Sequence, residues 1–412
     1  MCNAPGGYSV LTIAYMNTLN KKKATKSPFR KKVGKLHLWL GLASGLVVCF
    51  LGITGCILSF EREIENATQP YRFVVEKNAP AIKPSELQAI ALKQLPGKKL
   101  HSISYQPGKA AVASFFNNKP RYYYLVFIDP YTGKVLKTKN MEYDFFRFII
   151  EGHFNLWLPR AVGKPIVASA TLIFVVLLVT GIILWWPKNK AARKQRFKVK
   201  LNAKWRRTNY DLHNVLGFYM SWVIIFIAFT GLVWGFEWFA KSLFWTTSGG
   251  KEMTKFSMPL SDTTAAAMAN NEIKAIDMVW HKMKVENPGY PGIMEVHFPE
   301  DKSTSLEVAL NPDGNTYWKA DYRYFDQYTL KEIEVNHTYG KLKNASVAKK
   351  IQRMNYDIHV GAVAGLTGKI IAFLASLICA SMPVTGFLIW WGRKKKAKKT
   401  VAPEYKREAV AV

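Results

Sequence analysis

Apolar residues gather into four long stretches, roughly 36–60, 162–186, 211–236 and 364–391. Each is near the length, about 20 residues, that a helix needs to cross a bilayer. The pattern predicts membrane spans TM1 (36–60), TM2 (162–186), TM3 (211–236) and TM4 (364–391). Spans two and four each end in a Trp-Trp pair, Trp185-Trp186 and Trp390-Trp391, as interfacial aromatic belts do.

Between the spans the period changes. Residues 61–141 are polar and contain a helix signal, SELQAIALKQL, with Ser85 as N-cap. Alternating runs LHSISY, AAVASFF and RYYYLVFI follow, and a turn at Asp129-Pro130-Tyr131-Thr132-Gly133 leads into KVLK. Residues 237–345 repeat the plan, with a helix over TTAAAMANNEIKAIDMVWHKM and strands IMEVHF, STSLEVAL and WKADYRYFD. Two small α+β domains are therefore expected. The segments 142–159 and 346–360 are amphipathic, and each is expected to lie at the membrane surface as a helix leading into the next span.

The spans also match one another. At a constant offset of 176 residues Arg30 meets Arg206, His37 meets His213, Gly41 meets Gly217, and Thr54-Gly55 meets Thr230-Gly231. At an offset of 205, Gly163-Lys164 meets Gly368-Lys369 and Val179-Thr180-Gly181 meets Val384-Thr385-Gly386. The unit span–domain–span thus occurs twice. Each copy holds an even number of spans, so the repeats are parallel rather than inverted.

The formal net charge of +30 would suit a nucleic-acid binder, but its distribution points elsewhere. The positive residues sit in a basic N-terminus (1–35), a basic loop (187–210) and a basic tail (392–412). With four spans these fall on one face of the membrane, as the positive-inside rule requires, and no nucleic-acid partner is expected. Both termini are then cytoplasmic and the two domains face outward. The first residues lack a charged region ahead of their weak apolar run, so a cleaved signal peptide is not expected. Of four cysteines, Cys49, Cys56 and Cys379 lie in or beside spans, so no disulfide framework is expected in the outward segments. There is no C-x-x-C-H for covalent haem attachment.

Four of the eight histidines lie at span ends. His37 and His213 mark the inner ends of spans one and three, and His153 and His359 lie in the outer lead-ins to spans two and four. Ionisable residues at a membrane are functional candidates. Helical bundles build cofactor sites from facing helices, and neutral imidazole is a common axial haem ligand. A hydrocarbon core of about 30 Å keeps the inner pair from reaching the outer pair. The expectation is therefore two bis-histidine sites, His37 with His213 and His153 with His359. Gly41 and Gly45 above His37, with Gly217 and Ser221 above His213, leave a gap for a flat macrocycle or, equally, a face for close helix packing. Arg30 and Arg206, each seven residues before an inner histidine, are candidate partners for haem propionates, as are Lys164 and Lys369 outside. For all four, a topology signal or snorkelling is an equal reading. Asp211 and Asp357 read as helix N-caps. His101, His281, His297 and His337 fit no metal-ligand spacing.

The chain resembles the PepSY-associated transmembrane-helix family of iron-regulated membrane proteins. The resemblance rests on His37-x-Trp-x-Gly41, Gly152-His153, Asp211-Leu-His213-x3-Gly217 and Asp357-Ile-His359, with PepSY-like runs YLVFIDPYTGKVL and YFDQYTLKEI. It implies a helical membrane protein of the bacterial inner membrane, with a four-span haem-binding bundle and two PepSY-like periplasmic domains. It implies two haem b groups, the inner on His37 and His213 and the outer on His153 and His359. It also implies electron transfer to a ferric siderophore in the periplasm. Some relatives carry a flavoprotein domain; none is read here, so a cytoplasmic protein or quinol would be the electron donor. The competing expectation is a non-redox membrane protein whose PepSY-like domains bind a periplasmic partner. A transporter ranks last, because the spans lack midplane charge.

Overall fold

The computed structural model describes residues 27–187, 193, 196–268 and 274–408. In chain order its helices are α1 (Pro28–Ser59), α2 (Glu61–Thr68), α3 (Pro84–Gln94), α4 (Phe145–Asn155), α5 (Arg160–Trp185), α6 (Trp205–Gly235), α7 (Glu237–Thr247), α8 (Ala275–Glu286), α9 (Val347–Arg353), α10 (Asn355–His359) and α11 (Gly365–Glu408). The strands are β1 (Ser102–Tyr105), β2 (Ala111–Asn118), β3 (Arg121–Ile128), β4 (Val135–Asn140), β5 (Ile293–His297), β6 (Leu306–Asn311), β7 (Asp321–Phe325) and β8 (Glu332–Ile333).

Helices α1, α5 and α6, and the segment Ala362–Lys394 at the start of α11, are long and apolar enough to cross a membrane. The basic runs extend these helices beyond the apolar stretches. Lysine and arginine are good helix formers, so nothing in RKKVGK interrupts α1, which starts at Pro28 with Ser27 as its cap. The four helices pack in a ring, α1 on α5, α5 on α6, α6 on α11 and α11 on α1. Small residues set the closest approach. A Cβ on Gly52 would lie 2.7 Å from the backbone nitrogen of Ala380 and 2.8 Å from the carbonyl of Ser376.

The two predicted α+β units are joined in one sheet. Its order is β4-β3-β2-β1-β5-β6-β7-β8. Each half is an antiparallel meander, and the halves meet where β1 pairs with β5, Ser102 opposite His297 and Tyr105 opposite Met294. Helices α3 and α8 cover one face. Leu87 and Ala91 from α3, with Val279 and Met283 from α8, pack against Ile103, Phe115, Val126, Val296, Val308 and Phe325. That single core explains why the edge strands β1 and β5 are not left exposed.

Two local expectations change. Ser85 is not the N-cap of α3, which begins one residue earlier at Pro84. Instead Asp277 of α8 accepts both the Ser85 N–H at 2.8 Å and the Ser85 hydroxyl at 2.5 Å. A carboxylate from one half thus caps a helix of the other. Asp211 and Asp357 are likewise inside helices rather than at N-caps, where Lys204 and Met354 stand.

The other face of the sheet is polar and aromatic. Ser102 donates to Glu295 at 2.6 Å, and His297 lies 3.7 Å from Glu295 and 3.9 Å from Glu307. Burial, with the Glu295 charge, pushes the Glu307 carboxyl up to about 7 from 4.5. The folded chain therefore keeps a proton that the unfolded chain releases, and stability falls as pH rises from 4.5 to 7. We expect Glu307→Gln to flatten that fall, which amounts to at most roughly 3 kcal/mol, in thermal melts across this range. In the bundle, Gly52→Leu is expected to cost at least the roughly 1–3 kcal/mol of core overpacking, because backbone atoms rather than side chains stand in the way. Melting of the detergent-solubilised variant measures it.

Candidate functional site

Each of the four span-end histidines is held by a threonine of another helix. His37 of α1 places Nδ1 2.8 Å from the hydroxyl of Thr180 on α5. His153, at the end of α4, places Nδ1 2.8 Å from Thr54 on α1. His213 of α6 meets Thr385 on α11 at 2.8 Å, and His359 of α10 meets Thr230 on α6 at 2.8 Å. The exchange is reciprocal. Helix α1 gives a histidine to α5 at one end and receives one from the lead-in to α5 at the other, and α6 and α11 do the same.

The threonine hydroxyls are themselves committed. Thr54 donates to Phe50, Thr180 to Val176 and Thr385 to Ser381, at 2.9, 2.8 and 3.0 Å, each a carbonyl one turn back. Thr230 donates to Ile227 at 2.7 Å. Such back-bonding is the usual satisfaction of threonine inside a helix. Beside each threonine stands a glycine. Cβ atoms on Gly55, Gly181, Gly231 and Gly386 would lie 3.7, 3.4, 3.8 and 3.3 Å from Cε1 of His153, His37, His359 and His213. Thr-Gly is thus a ring cradle, in which the hydroxyl takes Nδ1 and the missing side chain makes room for Cε1. Among the described residues no hydrogen bond engages Nε2 of any of the four rings.

Close turns bring the outer pair into the bundle. Helix α4 ends in a left-handed turn at Leu156 and Trp157, which Trp157 stabilises by donating to the Phe148 carbonyl at 2.8 Å. The chain then returns so tightly that a Cβ on Gly163 would lie 1.9 Å from the carbonyl of Asn155. In the other half Gly361, with φ 77°, approaches Gly368 in the same way. His153 and His359 end up with ring centroids 6.1 Å apart and planes at 75°. Trp234 packs on His359 at 5.2 Å. Both rings border a cavity of about 1010 Å³ that runs between α1, α5 and α6 up to the β2–β3 hairpin. Burial holds the imidazoles low, to about 3 for His153 and about 4 for His359, so both are neutral at physiological pH. Neutral imidazole is the ligating form. At the far end stand His37, held by Thr180, and His213, held by Thr385. There Trp185 stacks on Phe218 with centroids 3.5 Å apart.

The other predicted residues fall as follows. Gly217 faces the sulfur of Met382, and Gly41 faces Leu177. Gly45 packs on Pro383 at 3.2 Å, which is helix packing. Arg30 donates to the carbonyls of Ile183 and Trp186 at 3.0 and 2.7 Å, closing the C-terminal end of α5. Arg206 is exposed near Gly392. Lys369 is buried in an ion pair with Glu63 at 2.6 Å, whereas Lys164 lines the cavity beside Arg160 with no ion pair among the described residues. Asp211 accepts from Arg207 at 2.9 Å. Asp357 accepts the N–H groups of Tyr317 and Trp318 at 3.0 and 2.9 Å, tying α10 to the loop between β6 and β7.

The four threonines were not among the candidate residues. The signal was present in the matched Thr-Gly pairs, which read only as repeat markers. Among the described residues no cluster of three or more His, Cys, Asp or Glu could hold a metal ion, so each end offers two imidazoles.

Compared with known proteins, the chain matches the family model described as the PepSY-associated TM region over residues 35–393. No curated protein matches it. Because Asp357 holds the helix that carries His359, Asp357→Ala should leave the part-buried N–H groups of Tyr317 and Trp318 without their carboxylate partner. The expected cost is about 1–3 kcal/mol in all, read as a lowered melting temperature in detergent.

Proposed function

The chain belongs to the PepSY-associated TM region family, and from that membership and its histidine pairs we propose that it is a di-haem electron-transfer protein of the bacterial inner membrane. It carries electrons outward to reduce a ferric chelate of the siderophore class. The observation that carries this reading is the pair His153 and His359, with centroids 6.1 Å apart and Nδ1 of both rings already engaged. Two metal–nitrogen bonds of about 2 Å each, with half a ring at either side, span about 6 Å. The donor set fits haem b better than a bare metal ion, since two imidazoles alone leave most of a metal's coordination positions empty.

His153 and His359 would hold the haem beside the sheet, and His37 and His213 the one at the far end. Thr54 and Thr180 lie at opposite ends of the bundle. The 17 residues from His37 to Thr54 put the two sites about 25 Å apart along the axis, on opposite sides of the hydrocarbon core. When bound, haem supplies one-electron ferric–ferrous chemistry at each site. The open cavity beside His153 is the place where an acceptor approaches, and each electron delivered there reduces one Fe(III) to Fe(II). Arg160 and Lys164, which make no ion pair among the described residues, could each meet a carboxylate of a chelate or a propionate, although Glu61 and Glu237 line the same cavity and balance their charge. Arg121 and Arg147 contribute less, because Glu142 and Glu151 pair with them. The basic ends of α1, α6 and α11 mark the far end as cytoplasmic, so the sheet is periplasmic and the donor is a cytoplasmic protein or a quinol.

Dithionite-reduced minus oxidised spectra of the purified protein, with pyridine-haemochrome quantitation, test the reading. Two haem b per chain are expected. His213→Ala should lose the far-end haem and His359→Ala the sheet-side haem, and either loss should break the path and abolish ferric reduction. Protein purified from haem-replete membranes with no Soret band sinks the proposal.

A further inference from the structure

We infer that Thr54, Thr180, Thr230 and Thr385 are positioning residues that fix the tautomer and electron donation of the four axial histidines. The inference rests on the haem reading and adds to it a role for residues that touch no ligand.

The hydrogen-bond directions carry the argument. Each threonine hydroxyl has one proton, and in every case a carbonyl of its own helix lies within 2.7–3.0 Å to accept it. The oxygen lone pair is then what faces Nδ1, so Nδ1 bears the ring proton and Nε2 is left with its lone pair. The opposite arrangement, with the hydroxyl donating to Nδ1, would cost each threonine its bond to that carbonyl. For His359 the direction is fixed independently. Its Nδ1 also lies 3.1 Å from the carbonyl of Ile227, which can only accept. The same geometry stands at four places on four helices, each with its glycine, so packing alone does not account for it.

The acceptor type matters as well. Ligating histidines commonly donate Nδ1–H to a carboxylate, a carbonyl or water, which raises ligand basicity. Here a neutral hydroxyl is an acceptor at all four positions, joined at His359 by the Ile227 carbonyl. It orients the ring without pushing the imidazole toward its anionic form, and so avoids the strong stabilisation of ferric iron that a carboxylate would give. Removing the hydroxyl weakens donation further and favours the ferrous state, least at His359, where the Ile227 carbonyl remains as an acceptor.

The assignment also predicts which haem each threonine governs. Thr54→Val and Thr230→Val should affect only the sheet-side haem, and Thr180→Val and Thr385→Val only the far-end haem. Valine keeps the shape and removes the acceptor. The test is a spectroelectrochemical titration of the purified full-length variants, with haem counted per chain and low-spin signals recorded by electron paramagnetic resonance. The expected result is a positive shift of one midpoint potential by about a tenfold change in equilibrium, ~59 mV for one electron, or roughly 10–100-fold weaker haem retention at that end. Thr→Ser at the same position should restore the wild-type values, which a packing role for the methyl group would not. If a valine variant fails to accumulate, the corresponding Thr→Ala and Thr→Ser pair is compared in its place. Haem-loaded variants with unchanged potentials and stoichiometry overturn this inference and leave the haem reading standing. So do shifts that fall on the wrong haem. Wild-type protein without haem overturns both.

Discussion

Polar groups inside an apolar bundle must find partners, and four imidazoles are the largest such debt among these helices. The bundle meets it by exchange. Each histidine takes its partner from a neighbouring helix, and each threonine passes its own proton to a carbonyl one turn back. In a medium without competing water a hydrogen bond between helices also fixes register. The α1–α5 and α6–α11 pairs are each pinned near both ends in this way. Sliding one helix by a turn would break both contacts at once and leave two imidazole N–H groups stranded. The glycines are the steric side of the same constraint, since a side chain beside Cε1 would push the ring off its hydroxyl.

The outer pair needs more than the bundle provides, because His153 and His359 arrive on short helices outside the spans. Their positions depend on the return turns at Gly163 and Gly361–Gly368, where backbone meets backbone, and on attachments to the segments above. Asp357 grips two backbone N–H groups of the β6–β7 loop. On the other half, Asp144 at the start of α4 pairs with Lys139 of β4 at 2.6 Å. The β1–β5 seam turns the two halves into one rigid sheet, so the two histidine-bearing segments hang from a common frame. That is a structural reason for a joined sheet: independent domains would let the 6.1 Å ring separation vary.

Much of this was legible in the sequence. Hydropathy gave the spans, alternation gave seven of the eight strands, and the matched histidines pointed to the meeting of His153 and His359. What stayed hidden depends on contacts between distant residues. Thr180 reads as one more small residue of a span until His37, 143 positions away, is seen against it. Ser85 looks like an N-cap because its local pattern is that of one, yet the acceptor comes from Asp277, 192 positions on. Arg30 reads as a topology signal or a propionate partner, while its guanidinium serves as the C-terminal cap of α5. The β1–β5 pairing joins strands from different halves, and no turn signal records it.

The two halves agree in histidine, threonine and glycine and disagree in one lysine, and the disagreement has a physical consequence. Lys369 is neutralised by Glu63, a residue of α2, in an ion pair whose lysine is buried and whose carboxylate is partly exposed. The matching residue of the other half, Lys164, has Arg160 beside it and a cavity in front. An ion pair removed from water is stable only with both partners present. An unpaired cation at a cavity mouth instead favours any anion that enters. The lysine of one half is therefore held by a carboxylate, and that of the other half faces the cavity, whose lining also includes Glu61 and Glu237. At the far end the Trp185–Phe218 stack covers the corresponding corner with apolar surface. A nearly two-fold arrangement of histidines thus has unlike surroundings in its two halves.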